Sequence, residues 1–117
     1  MSSDNLDIPI FKKAYSLYKD VHLYRSLVPK QDRYTLWQRC DNTSLDIIEG
    51  ILLASGIPKD KKSAVLEEVS RKLNLLRILL RLAYDVKSID NKKYIHLQST
   101  VDEIGRMLGG WIKSTKD

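Results

Sequence analysis

The sequence predicts an all-α fold, an antiparallel up-down-up-down four-helix bundle, and three observations predict it. No stretch shows the two-residue alternation of β-branched residues between turn signals that marks strands. Four segments instead repeat apolar residues at steps of three and four, the spacing of one helical face. Glycine and proline number only 5 and 3 in 117 residues. Pro9, Pro29 and Pro58 stand near the starts of three segments, and Gly56 closes one.

The first segment, about 8–28, carries Ile10, Ala14, Leu17, Val21, Tyr24 and Val28 at steps of four and three. The second, about 30–55, carries Trp37, Cys40, Ile47, Ile51 and Ala54, with Leu45, Ile48 and Leu52 beside them. Asp41-Asn42-Thr43-Ser44 in its middle are poor helix formers, so a bend or break is expected there. Gly56 supplies a C-cap, and Pro58 stops the helix. The third segment, about 60–87, has the strongest pattern: Leu66, Val69, Leu73, Leu76, Leu80 and Ala83, with Asp60 as N-cap. The fourth, about 90–114, repeats Tyr94, Leu97, Val101, Ile104, Leu108 and Trp111, and Asp90 caps its start. Helices of roughly 20–28 residues span about 30–42 Å each. Short loops between them make consecutive helices antiparallel neighbours. No linker, repeat or low-complexity tract divides residues 1–117, so one domain is expected.

Hydrophobic residues make up 43% and charged residues 30%, a packed chain and not a disordered one. Lys plus Arg total 20 against 15 for Asp plus Glu, a net charge of +5 that permits a nucleic-acid or acidic-protein partner. No apolar run approaches the roughly 18 residues that a membrane span needs. Met1 to Asp7 is polar and contains Asp4 and Asp7, unlike a signal peptide or presequence. The single cysteine, Cys40, can form neither an internal disulfide nor a Cys-based metal site, which points to a reducing cytoplasm.

Catalytic patterns are missing. A di-iron bundle needs Glu-x-x-His pairs, but Leu52, Ser70, Arg71 and Arg106 follow Glu49, Glu67, Glu68 and Glu103 at that spacing. His22 and His96 have no spaced partner. Gly105 to Gly110 matches the glycine spacing of a P-loop, but Trp111 stands where lysine is required. Cys40 falls on an apolar face, and the adjacent Glu67 and Glu68 point to different sides of a helix. The expectation is a nonenzymatic protein without metal or cofactor.

What remains is surface. On the third segment Leu75, Leu79, Leu82 and Val86 form a second apolar face about a third of a turn from the core stripe. It is either a widened core face or a subunit interface. On the opposite flank, Arg77 and Arg81 stand one turn apart, a spacing suited to phosphate or carboxylate recognition, or to an ordinary salt-bridged face. Lys92, Arg106 and Lys113 share one stripe of the fourth segment. Gly105 and Gly109 lie on a neighbouring face and permit close helix packing. Lys12, Lys13, Lys19 and Arg25 spread over more than one face of the first segment.

Two stretches carry a resemblance: Leu75-Leu76-Arg77-Ile78-Leu79-Leu80-Arg81-Leu82, and Glu103-Ile104-Gly105-Arg106-Met107-Leu108-Gly109-Gly110-Trp111-Ile112 some twenty residues later. In sequence and separation they resemble the accessory variability determinant (Avd) family, proteins that assist the reverse transcriptase of diversity-generating retroelements. That family is similar in fold to the four-helix proteins of ribosomal-RNA intervening sequences. The resemblance implies a barrel-like homopentamer whose basic surface binds reverse transcriptase and RNA or DNA during mutagenic cDNA synthesis. Arg77, Arg81 and Arg106 match the motif arginines, and Lys92 and Lys113 extend the basic surface. Leu75, Leu79, Leu82 and Val86 would then lie between subunits. A pentamer would gather about +25 of charge on one assembly. Between the arginines stand Ile78 and Leu79, where family members often carry an aromatic residue. The second expectation is a four-helix pentamer of the ribosomal-RNA intervening-sequence type with a structural or unknown role.

Overall fold

A computed structural model describes residues 8–116; the polar Met1–Asp7 stretch and Asp117 lie outside the described residues. Four long helices and one short one account for the fold. They are α1 (Pro9–Tyr24), α2 (Lys30–Arg33), α3 (Leu36–Ser55), α4 (Lys59–Asp85) and α5 (Asn91–Thr115). A 3-10 turn, Arg25–Leu27, follows α1. The helices α1, α3, α4 and α5 correspond to the four expected segments. Among the described residues there is no strand.

Each long helix packs on two others, α1 and α4 both lying against α3 and α5. Cross-helix contacts fix the directions. Lys72 meets Asp46 at 3.3 Å and Arg77 meets Asp102 at 3.3 Å. Lys13 meets Glu103 at 2.9 Å and His96 meets Asp20 at 2.7 Å. Gly50 faces Val69 and Tyr84 stacks on Tyr94, so in α1–α5, α3–α4 and α4–α5 the numbers rise on one helix as they fall on the other, and these neighbours are antiparallel. The core runs through all four, with Leu17, Trp37, Ile47, Leu66, Leu80, Leu97 and Ile104 fully buried. Trp37 Nε1 donates to the Val21 carbonyl at 2.8 Å, which removes the cost of burying its N–H. At Gly50 a methyl group would collide with Val69 Cγ2, so the bare backbone is what lets α3 and α4 approach there.

Three boundaries differ from expectation. The first helix ends at Tyr24 and not near residue 28. Val28 is extended (φ −76°, ψ 137°), the conformation that the following Pro29 imposes. Arg33 satisfies the turn by donating from Nε and Nη2 to the Val28 carbonyl, and from Nη2 to that of Ser26. The second segment breaks at Tyr34 and Thr35, while Asp41 to Ser44 are helical. Tertiary contacts outweigh propensity there: Asp41, Thr43 and Ser44 are buried, Ser44 Oγ donates to the Cys40 carbonyl, and Asp41 accepts from Arg25. Helix α4 is capped by Pro58, with Asp60 in its first turn and no side-chain cap bond.

Other ends follow the reading. Asp90 caps α5 by accepting from the Lys93 N–H at 2.9 Å, and Gly56 is the C-cap of α3. Helix α4 closes with Ser88 N–H bonded to the Ala83 carbonyl and Lys87 N–H to that of Tyr84. Such a Schellman turn needs a left-handed residue, and Lys87 takes it at φ 66° where glycine is usual. Ser88 Oγ then donates to Asp32 Oδ2 at 2.7 Å, tying this turn to α2.

Candidate binding face on α4 and α5

The α4–α5 groove begins with Arg77. Its Nη1 donates to Asn74 Oδ1 at 2.8 Å, and its Nη2 reaches Asp102 Oδ1 on α5 at 3.3 Å. Gly105 makes this reach available, since a methyl group there would stand 2.8 Å from Arg77 Nη2. Gln98 Nε2 donates to the Arg77 carbonyl at 3.2 Å, a second tie between the helices. One turn on, Arg81 Nε donates to Asp85 Oδ1 at 3.0 Å, and the guanidinium lies 5.8 Å from the Tyr84 ring centroid. The Tyr94 hydroxyl first and the Asp85 carboxylate second hold the Arg81 proton above its ordinary pKa. Tyr84 and Tyr94 stack across the groove, 4.7 Å apart and 15° from parallel.

Arg106 is exposed and shares a groove of about 360 Å³ with Arg77, Asp102 and Gly105. A second hollow of about 530 Å³ joins it to Tyr94, Gln98 and Asp102. So three expected residues, Arg77, Arg81 and Arg106, border one continuous face. Lys92 and Lys113 are exposed, but 21 positions of helix separate them, about 31 Å. They lie toward opposite ends of α5 and not beside the arginine pair. Three arginines against the carboxylates of Asp85 and Asp102 leave a surplus of one positive charge. The ion pairs are solvent-screened surface pairs that contribute little to stability, so an incoming phosphate or carboxylate can exchange with them.

The bAvd-like family model matches residues 9–115, which takes in every helix of the fold. The chain belongs to the bAvd-like family. No curated protein matches it. In this bAvd-like chain the apolar face of α4 divides differently from expectation. Leu79 is only 8% exposed and belongs to the monomer core. It turns inward beside Leu76, Leu80 and Ala83, so the core stripe is wider than the strict three-four repeat. Leu75 is half-buried, while Leu82 at 45% and Val86 at 53% remain open. Ile78, not assigned to this face from the sequence, is 62% exposed and completes the strip.

Other candidates resolve into structure. Burial first, and the neighbouring Asp41 carboxylate second, push the Cys40 thiol up to about 12, which disfavours the reactive thiolate. His22 stacks on Tyr18 at 6.0 Å, and His96 pairs with Asp20. Gly105 serves Arg77, whereas Gly109 faces open space and brings no helix closer. Among the described residues no group of three or more His, Cys, Asp and Glu side chains is placed to hold a metal ion. Among them, too, no helix is long and apolar enough to cross a membrane.

Proposed function

We propose that this chain is a nonenzymatic accessory protein of a diversity-generating retroelement. On this reading it works as a homopentamer in the cytoplasm, binds the reverse transcriptase and RNA or DNA through its basic surface, and supports mutagenic cDNA synthesis. The observation that carries the proposal is the bAvd-like match across 9–115. The arginine face supports it physically: exchangeable surface ion pairs leave Arg77 and Arg81 available to an anionic partner, and Arg106 beside them is exposed. The open strip of Ile78, Leu82 and Val86 supports self-association, because contiguous exposed apolar surface marks contact sites.

The test is co-purification of the tagged chain with the reverse transcriptase encoded beside it. The enzyme should be retained at low salt and lost when Arg77 and Arg81 are both alanine. An eluate free of reverse transcriptase, from cells that contain it, would overturn the proposal. Light scattering tests the assembly. A pentamer should weigh about 68 kDa, five times the 13.5 kDa chain. A monomer at micromolar concentration would remove that part of the reading.

A further inference from the structure

Helix α1 carries an outward row that the arginine face does not explain. Phe11-Lys12-x-x-Tyr15 is followed seven residues on by Tyr18-Lys19-x-x-His22, the same arrangement of ring, lysine and ring. In the structure each unit is a pair of touching rings. Phe11 and Tyr15 have centroids 6.1 Å apart, and Tyr18 and His22 are 6.0 Å apart. The first ring of each pair is set inward: Phe11 is buried and Tyr18 half-buried. The second is open, Tyr15 at 50% exposure and His22 likewise exposed. Each open ring is therefore backed by another ring and held in place. At about 100° per residue, Lys12, Tyr15, Lys19 and His22 fall within about 80° of the helix circumference. The two open rings stand two turns apart, about 10.5 Å along the axis.

The charges on α1 sort themselves by partner. Lys13 is held by Glu103 at 2.9 Å, and Asp20, the one acidic residue of the helix, is held by His96 at 2.7 Å. Among the described residues, Lys12 and Lys19 make no ion pair. Lys19 Nζ lies instead 5.7 Å from the Tyr15 ring centroid. Lys12, Tyr15 and Phe11 line a hollow of about 420 Å³. Exposed ammonium groups alternating with braced, open rings meet both needs of a polynucleotide whose bases are free: charge for phosphates and flat apolar faces for bases. A duplex offers phosphates but keeps its bases stacked inside. We infer that the Lys12–Tyr15–Lys19–His22 face of α1 binds single-stranded nucleic acid, with bases stacked on Tyr15 and His22 and phosphates on the two lysines. A base arriving at Tyr15 displaces the Lys19 ammonium from the ring and leaves it beside the adjoining phosphate.

The inference rests on the accessory-protein reading for its setting, and its test is separate. Fluorescence anisotropy would measure labelled oligothymidylate and oligouridylate against a duplex of equal length and against heparin, a polyanion without bases. The parent should prefer both single strands over the duplex. Tyr15→Leu and His22→Leu should each weaken single-strand binding about tenfold, the effect of one lost stacked base. Duplex and heparin binding should not move, and circular dichroism should show the helices intact. Lys12→Gln with Lys19→Gln should lower the salt slope by about 1.4, close to 0.7 for each lost phosphate contact. Single-strand binding unchanged in the Tyr15→Leu, His22→Leu double variant would overturn the inference. So would a parent without preference for single strands, which would make the face a general polyanion surface. If that double variant lost the reverse transcriptase in co-purification while keeping the oligonucleotides, α1 would be a protein-docking face. The inference would then fail and the accessory-protein reading would stand.

Discussion

Arg25 and Arg81 each hold an aspartate at 3.0 Å, yet the two pairs do different work. Arg25 and Asp41 sit between α1 and α3 with side chains 18% and 8% exposed. Arg25 also donates to the Arg33 carbonyl at 2.6 Å and lies 5.6 Å from the Tyr34 ring centroid, while burial and Asp41 together push the Tyr18 phenol up. Arg81 and Asp85 are 62% and 50% exposed, neighbours on a single helix. Equal geometry in unequal surroundings gives unequal energies. A buried charge that loses its partner keeps its desolvation penalty, whereas an exposed one turns back to water. The junction pair therefore organises the fold, and the α4–α5 pairs stay free to exchange.

The largest expected effect lies at the junction. Asp41→Ala should destabilise the protein by up to about 3–5 kcal/mol, the cost of leaving a largely buried guanidinium without its carboxylate. Urea denaturation of the variant would measure it. A loss below about 1 kcal/mol would place the junction pair in the same class as Arg81–Asp85 and erase the contrast.

The same opposition recurs among the leucines of α4. Leu79→Ala should cost about 2–5 kcal/mol as a core truncation. Leu82→Glu should leave the monomer fold near its parent stability and act on self-association, which light scattering reads. A Leu79 variant that changed assembly but not stability would return that residue to the interface.

On the α4–α5 face, Arg77→Ala with Arg81→Ala should leave stability near that of the parent, because exposed pairs contribute little and alanine favours the helix. Partner binding should weaken by about 1–3 kcal/mol for each charge-assisted bond lost. Equilibrium unfolding beside co-purification separates the two. An unfolded or dissociated double variant would mean that Arg77, with its reach over Gly105 to Asp102, holds α4 to α5.

Acid gives the smallest effect. The Lys93 N–H and ammonium hold Asp90 below the usual carboxylate range, and Lys13 does the same for Glu103. Both carboxyls bind protons more readily in the unfolded chain. Their contribution is full above the ordinary carboxylate pKa of about 4 and is lost as pH falls through the lowered folded values. Both are exposed, so the melting temperature should decline only slightly through that window. Removing both with Asp90→Asn and Glu103→Gln should flatten the decline.

The positions of the helices were legible because periodicity is local. Leu66, Val69, Leu73, Leu76 and Leu80 recur in α4 at a spacing that any reader of the chain can count, and Asp90 caps α5 where it stands. The arginine face was half legible. Arg77 and Arg81 stand out by spacing, but Asp102, Gln98 and Tyr94 are partners only across the groove. Short loops held that signal in principle: an antiparallel pair turning near residue 89 brings 77 against 102 and 84 against 94. The ring-and-lysine row of α1 was countable too, yet its composition does not say which rings lie open.

The sequence by itself determined the four long helices, their antiparallel order and the candidate arginines, since these depend on intervals along one chain. Only the tertiary structure decided that Asp41 to Ser44 stay helical and that Leu79 enters the core. It also decided that, among the described residues, Lys13 is paired while Lys12 and Lys19 are not. Each of those outcomes depends on what a second helix places within a few ångströms, and burial and charge pairing are properties of that neighbourhood and not of the residue.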